Sequence, residues 1–254
     1  CAPLAAPTPR PAAAGTLRAM PDLVAPPLAL YVHLPWCVRK CPYCDFNSHV
    51  HKGALPEDAY VDALLADLDA DLAAHLRGDA RDVESVFLGG GTPSLFRPES
   101  LARLFAGLRS RLPFASDVEV TMEANPGTVE HGRFDGYRDA GINRVSLGAQ
   151  SFGAAQLAAL GRIHAADDTT RAVGELRGAG LHEFNLDLMY ALPAQDVAGA
   201  LYDLERALAL EPTHLSHYQL TLEPGTVYFH RPPALPDEDA AFEMQQAAAA
   251  RLTD

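Results

Sequence analysis

The chain has 254 residues, of which 48% are hydrophobic and 21% charged, and its formal net charge is −13. These values are typical of a globular protein with a sizeable core, and the acidic balance argues against a nucleic-acid-binding surface. Three clustered cysteines and a distant Cys1 make no disulfide framework, which favours a reducing cytoplasm, and no apolar run is long enough for a membrane span.

Residues 1–27 are rich in alanine and proline and are predicted to be a disordered extension. Beyond them, short apolar runs alternate with segments whose apolar residues recur every three or four positions, the pattern of amphipathic helices. The strands are predicted at Leu28–Leu34, Val83–Leu88, Asp117–Glu123, Arg144–Leu147, Phe184–Leu188 and Leu215–Leu222. The helices are predicted from Pro56, at Pro98–Arg111, near Val129–Ala140, twice within Gly153–Gly180, and at Ala198–Leu210.

This alternation favours a parallel sheet with right-handed crossovers. Six strand–helix units fit an α/β fold, an open (β/α)6 partial TIM-like barrel, which would span residues 28–225 as the core domain. Residues 226–254 combine a proline-rich stretch with the helix Asp237–Leu252. We interpret them as the start of a C-terminal domain that is truncated in this chain.

Three cysteines follow the first strand as Cys37-x3-Cys41-x2-Cys44, with Tyr43 supplying an aromatic ring beside them. Thiolates this close together can bind one [4Fe–4S] cluster, which prefers thiolate ligands, and three of them leave one iron open. A structural zinc site is an alternative, although zinc needs a fourth ligand and only His49 and His51 are near. A disulfide with one free thiol is another.

This motif resembles the signature of the radical S-adenosylmethionine (SAM) superfamily, C-x3-C-x-aromatic-C. The surrounding residues, YVHLPWCVRKCPYCDF, resemble the oxygen-independent coproporphyrinogen III oxidase family and within it the heme chaperone branch, HemW. The resemblance runs from about Leu28 to Asp239. It implies a [4Fe–4S] cluster on the three cysteines, SAM on the open iron, and reductive cleavage of SAM.

Polar and glycine residues follow several of the predicted strands. In parallel α/β folds ligands bind at the carboxyl ends of the strands, although a glycine run such as Gly89–Gly91 is often a plain turn. A carboxylate suits the ammonium group of SAM and Arg162 suits its carboxylate. The resemblance implies SAM contacts at Tyr31, Tyr43, Gly90, Gly91, Thr92, Glu123, Gln150, Arg162 and Asp187.

Phe46 distinguishes two branches of the family. Coproporphyrinogen dehydrogenases carry a fourth cysteine at this position, so the resemblance implies a heme chaperone, which binds heme and passes it to acceptor hemoproteins such as respiratory enzymes. Transient contact with membrane proteins follows from that role. The heme-binding motif of the branch, H-N-x-x-Y-W, does not occur in the 254 residues, so heme binding is expected of the full-length protein.

Two alternatives remain open from the sequence: an oxygen-independent coproporphyrinogen III oxidase, and a structural metal-binding module without radical chemistry. The second would leave the polar residues Glu123, Gln150, Arg162 and Asp187 without a role.

Overall fold

A computed structural model describes residues 25–127 and 133–253. Its strands are β1 (Leu28–Leu34), β2 (Trp36–Cys37), β3 (His49–Val50), β4 (Val83–Gly90), β5 (Phe114–Ala124), β6 (Arg144–Gln150), β7 (Glu183–Tyr190) and β8 (His214–Gln219). Its helices are α1 (Glu57–His75), α2 (Pro98–Arg109), α3 (Phe134–Ala140), α4 (Ala154–Ala159), α5 (Ala166–Gly178), α6 (Val197–Leu208), α7 (Val227–His230) and α8 (Glu238–Thr253), with a 3-10 turn at Pro93–Leu95. Most of the predicted extension, Cys1 and the start of the helix predicted near Val129 lie outside the described residues.

Six strands form one parallel sheet in the order β1-β4-β5-β6-β7-β8, with β1 and β8 at its two edges. Helices connect the successive strands, as parallel pairing requires. The predicted α/β fold with six strand–helix units in an open sheet is therefore confirmed. Within the described ranges, no helix combines the length and the apolar character that crossing a bilayer would need.

The two faces of the sheet differ in polarity because side chains alternate along each strand. One face contributes Val32, Val86, Val145 and Leu186 to the main hydrophobic core, all at most 6% exposed. The amphipathic helices cover this face, with Leu101 of α2 and Leu176 of α5 fully buried in the same core. The opposite face carries polar side chains, among them Ser146, Asn185, Asp187 and Ser216.

The structure corrects the end of the last predicted strand. β8 ends at Gln219 rather than at Leu222, because its neighbour β7 ends at Tyr190 and turns away through Ala191, whose φ is 56°. β7 itself is longer than predicted, so Asp187 lies inside the strand rather than near its end. The pairing of β2 with β3 and the short helix α7 were not predicted.

Candidate cluster and cofactor site

The three cysteines lie on the loop that leaves β1, and all three are free thiols of intermediate exposure. They line one cavity of about 530 Å³ at the carboxyl end of the sheet. In the part of the chain that is described, no three His, Cys, Asp or Glu side chains are grouped so as to hold a metal ion. That finding concerns an ion bound at one point, whereas each cysteine of a cubane cluster binds a different iron.

Hydrogen bonds to its own backbone hold this loop in shape. The Lys40 Nζ donates to the carbonyl oxygens of Phe46 at 2.8 Å and Ser48 at 3.0 Å. On the other side, the Nε2 of His33 lies 2.8 Å from the carbonyl oxygen of Asn47. The short β2–β3 pairing ties the two ends of the loop together, with Trp36 opposite His49. Sequence reasoning missed the role of Lys40, since nothing in the spacing distinguishes it from a solvated lysine.

Gly90 and Gly91 have a structural reason to be glycines. Gly90 has a φ of 113°, and a Cβ atom there would lie 2.5 Å from the ring of His33. A Cβ on Gly91 would lie 2.5 Å from the carbonyl oxygen of Trp36. Their small size lets β4 end directly against the start of the cluster loop, where the Thr92 N–H donates to the Trp36 oxygen at 2.8 Å. Both glycines and Thr92 also line the cavity.

Two carboxyl groups, Glu123 on β5 and Asp187 on β7, enter the cavity from either side of β6. Burial raises the pKa of Glu123 to about 7, against the lowering effect of a hydrogen bond from the Gly90 N–H to its Oε2 at 3.1 Å. Burial also raises the pKa of Asp187, although Ser216, Ser146 and Asn185 hydrogen-bond to its carboxylate and oppose the shift. Burying two acids in one cavity is unfavourable unless a cation or a donor compensates them.

Arg162 brings a positive charge into this cavity, whose lining also includes Arg39 and Lys40. It lies between α4 and α5 rather than after a strand, and its guanidinium donates to the carbonyl oxygen of Gly148 at 2.8 Å and to the side chain of Asn125. A third contact, 3.8 Å long, joins it to the Cys41 Sγ. The guanidinium thus lies between the cysteine loop and the polar wall of the sheet.

Gln150 closes β6 with a φ of 67°, an unusual value for a residue other than glycine. Its Oε1 accepts a hydrogen bond from the Tyr218 hydroxyl at 2.7 Å. Elsewhere on the cavity wall, Tyr43 packs beside Leu160, Met189 and Tyr228. Burial raises the pKa of the Tyr43 hydroxyl. The aromatic ring predicted beside the cluster therefore lies on the cavity wall.

Eleven of the twelve predicted site residues line this single cavity. Tyr31 is the exception: it is 61% exposed, its hydroxyl lies 3.1 Å from the His33 Nδ1, and its ring stacks on Phe87. Phe46 also lies on the cavity wall, and it is 60% exposed.

Sequence reasoning missed several residues of the wall, namely Asn125, Ser146, Gly148, Met189, Ser216 and Tyr218. Asn125 could have been found because it directly follows β5, at the carboxyl end where ligands bind in such sheets. Ser146 and Ser216 lie within strands, and the alternation of inward and outward positions would have indicated them.

The profile of the radical SAM superfamily matches residues 31–205. The chain belongs to the radical SAM superfamily. Membership implies a [4Fe–4S] cluster and SAM as cofactors, and the match includes the three cysteines and every polar residue of the cavity named above up to Asp187.

Curated relatives support the narrower resemblance. The heme chaperone HemW of Escherichia coli K12 is 53% identical over 228 residues, 90% of this chain and 60% of that protein. The mouse mitochondrial radical S-adenosyl methionine domain-containing protein 1 is 41% identical over 239 residues, 92% of this chain and 53% of that protein. The chain thus spans about 60% of the length of the curated heme chaperone that it matches. Among solved structures, the coproporphyrinogen III oxidase HemN of E. coli matches with a TM-score of 0.78 at 29% identity, over 89% of this chain and 52% of that one.

Proposed function

We propose that Cys37, Cys41 and Cys44 hold a [4Fe–4S] cluster and that SAM binds beside it in the cavity. The observation that carries this proposal is that three free thiols and polar residues from β5, β6, β7 and two loops line the same cavity. When bound, the two groups together supply an electron and a carbon–sulfur bond that the electron can cleave.

The residues present fit both groups. Three thiols on one short loop match the ligand preference of an iron–sulfur cluster. The carboxyl groups of Glu123 and Asp187 can bind an ammonium group, and Arg162 can bind a carboxylate. In this reading the chain binds and orients the cofactor, while the hydroxyl of Tyr218 and the amide of Gln150 form a polar wall for its other groups.

We propose further that the protein acts as a heme chaperone, which binds heme and delivers it to acceptor hemoproteins such as respiratory enzymes, with transient contact with membrane proteins. The support is the 53% identity with HemW of E. coli, against 29% with the oxidase HemN. The second candidate function is that of a coproporphyrinogen III oxidase, and the TM-score of 0.78 to HemN is the observation in its favour. Phe46 favours the chaperone because a phenyl ring offers no thiol at that position.

Anaerobic reconstitution tests the cluster. We expect about four irons and four sulfides per chain, the content of one cubane. Replacing Cys37, Cys41 or Cys44 by Ala should remove most of the iron, whereas Cys1→Ala should leave it unchanged. Tightly bound zinc without broad visible absorption would contradict the assignment and favour the structural metal-binding module.

Titration with SAM tests the cofactor pocket. We expect SAM to alter the EPR spectrum of the reduced cluster. Asp187→Ala and Gln150→Ala should weaken SAM binding while the iron content stays that of the parent. If both variants bind SAM like the parent, the proposed pocket is wrong.

A further inference from the structure

A buried carboxylate outside the cavity holds the loop that ends β6. Asp203 lies on α6 and is 3% exposed. Its Oδ2 accepts hydrogen bonds from the Ser151 hydroxyl at 2.7 Å and from the Gln195 Nε2 at 3.0 Å, and its Oδ1 accepts from the Phe152 N–H at 2.7 Å. A carboxylate in this position is tolerated only because these donors replace its water shell. Ser151 and Gln195 are themselves 0% and 6% exposed.

Two of these bonds go to the residues directly after a backbone turn that is unfavourable on its own. The Ser151 N–H donates to the Ala149 carbonyl oxygen at 2.9 Å, two residues back, and Gln150 between them has a φ of 67°. This is a γ-turn with positive φ at its centre, a rare and strained form. Such a conformation is unfavourable and persists where the surrounding structure fixes it. Asp203 binds the two residues that follow Gln150 and so holds the downstream side of the turn, while the His164 Nε2 lies 3.2 Å from the Ala149 carbonyl oxygen on the upstream side.

The same carboxylate reaches the end of the neighbouring strand through Gln195. The Gln195 side chain donates to Asp203 and accepts from the Leu192 N–H at 3.1 Å. Leu192 follows β7 in a segment where Ala191 and Ala194 also have positive φ values, 56° and 57°. Asp203 therefore links the segments that follow β6 and β7. These two strands carry the cavity residues Gln150 and Met189.

We propose that Asp203 is a positioning residue for cofactor binding: it holds the strained turn at Gln150 and thereby sets the direction in which the Gln150 amide enters the cavity. This inference rests on the proposed function, in which Gln150 contacts SAM. Asp203 acts through Gln150 and does not touch the cofactor, because its oxygens are used by Ser151, Phe152 and Gln195.

Equilibrium binding of SAM to the reconstituted protein tests the inference in a double-mutant cycle. Asp203→Asn keeps the shape of the side chain but replaces one acceptor oxygen with an NH2 group, which cannot accept from Ser151 and Gln195. We expect this variant to retain its iron and to bind SAM about tenfold more weakly, a difference of about 1.4 kcal/mol. Gln150→Ala should bind SAM more weakly as well. The double variant should bind SAM no more weakly than Gln150→Ala alone, because residues that act through one another are not additive.

Asp196 provides a matched control on the same helix. Its side chain accepts from the Gly199 N–H at 2.8 Å and caps α6, so Asp196→Ala should lower the melting temperature without changing SAM affinity. If Asp203→Asn does not retain iron, Ser151→Ala replaces it in the cycle, since it removes one of the same bonds.

Three outcomes separate the inference from the proposed function. If Gln150→Ala weakens SAM binding but Asp203→Asn or Ser151→Ala does not, Asp203 is only structural and the inference is wrong. Additive losses in the double variant overturn it too, since Asp203 would then act elsewhere. If Gln150→Ala binds SAM like the parent, the SAM pocket of the proposed function is misplaced, and the inference falls with it.

Discussion

Glu123 lies where folding and cofactor binding place opposite demands on one carboxyl group. Burial raises its pKa to about 7 from 4.5, so the folded protein favours the protonated form. An ammonium group in the cavity would instead favour the carboxylate. The site therefore holds an acid that is unfavourable in the empty protein and useful in the complex, a common trade between stability and function.

The free energy of unfolding should depend on pH because of this raised pKa. Because the folded pKa is raised, the folded state binds the proton more tightly, and the contribution of Glu123 to stability is complete below pH 4.5 and is lost as the pH rises through about 7. The amide of Glu123→Gln mimics the protonated form and can still accept from the Gly90 N–H. At pH 8, before cluster reconstitution, we expect Glu123→Gln to be more stable than the parent by up to about 3 kcal/mol, and to be similar to it at pH 4.5.

Urea denaturation at several pH values measures this difference. Glu84→Gln, at an exposed position of β4, serves as the control and should show no such pH-dependent gain. A Glu123→Gln protein that is less stable than the parent at pH 8 would contradict the interpretation. After reconstitution the same variant should bind SAM more weakly than the parent.

At the scale of elements, the cluster loop contains little regular secondary structure. Among the described residues its regular structure is limited to the two-residue strands β2 and β3. One lysine spans the loop and bonds to two of its carbonyl oxygens. Part of the remaining support comes from α7, where the Tyr228 N–H donates to the Pro42 carbonyl oxygen at 3.0 Å.

Replacing Lys40 should loosen this loop. Lys40→Met keeps most of the aliphatic chain and removes both hydrogen bonds. A hydrogen bond with one charged partner contributes about 1.5–3 kcal/mol to stability. The side chain is exposed in part, so we expect an effect at the low end, with iron lost to a chelator about tenfold faster than from the parent. The chain has one other lysine, Lys52, which is also exposed near the loop. Lys52→Met should lose iron at the rate of the parent, and equal rates for Lys40→Met and the parent would contradict the role of Lys40.

The elements differ in how well the sequence predicts them. β1 was predicted with its observed bounds because an apolar strand buried on one face has a clear pattern. α7 and the β2–β3 pair were missed because each depends on contacts with distant residues, such as the hydrogen bond from Tyr228 to Pro42. The cysteine motif located the site from local spacing alone. Asn125 and Tyr218 could not be paired with Arg162 and Gln150 in advance, because their side chains meet only after the sheet has formed.

For the whole molecule, the parallel sheet is what gathers the site. The cysteine loop and the site residues of β4, β5, β6 and β7 are separated by up to 150 residues in the chain, from Cys37 to Asp187, yet they line one cavity. Parallel strands all have their carboxyl ends on the same side of the sheet, so the residues at the ends of successive strands come close together. Tyr31, on the edge strand β1, lies outside this cavity because its ring packs on Phe87 instead. We keep Tyr31 as a proposed cofactor contact, which a Tyr31→Phe variant tests through SAM affinity.

The function of the whole protein, chaperone or oxidase, is the last question at this scale. Phe46 is the residue that distinguishes the two functions. Its ring is 60% exposed on the wall of the cavity that holds the three thiols. A phenyl ring can neither bind iron nor donate a hydrogen atom as a thiol can, so one reactive group is missing beside the proposed cluster. We therefore expect the reconstituted protein, given reductant and SAM, to form no protoporphyrinogen IX from coproporphyrinogen III, as measured by anaerobic HPLC.

We also expect the protein to deliver heme. This is measured with the protein that includes any residues following Asp254 in its open reading frame. It should bind heme with a visible absorption band and pass it to an apo-hemoprotein acceptor. Phe46→Cys is the matched variant, since it restores the thiol that the oxidases carry and changes nothing else in the loop. Heme transfer should be similar in Phe46→Cys and the parent, because the cavity is not where heme is expected to bind. Sustained formation of protoporphyrinogen IX by the parent would instead place the protein among the oxidases, since turnover without the fourth thiol would show that Phe46 does not block that chemistry.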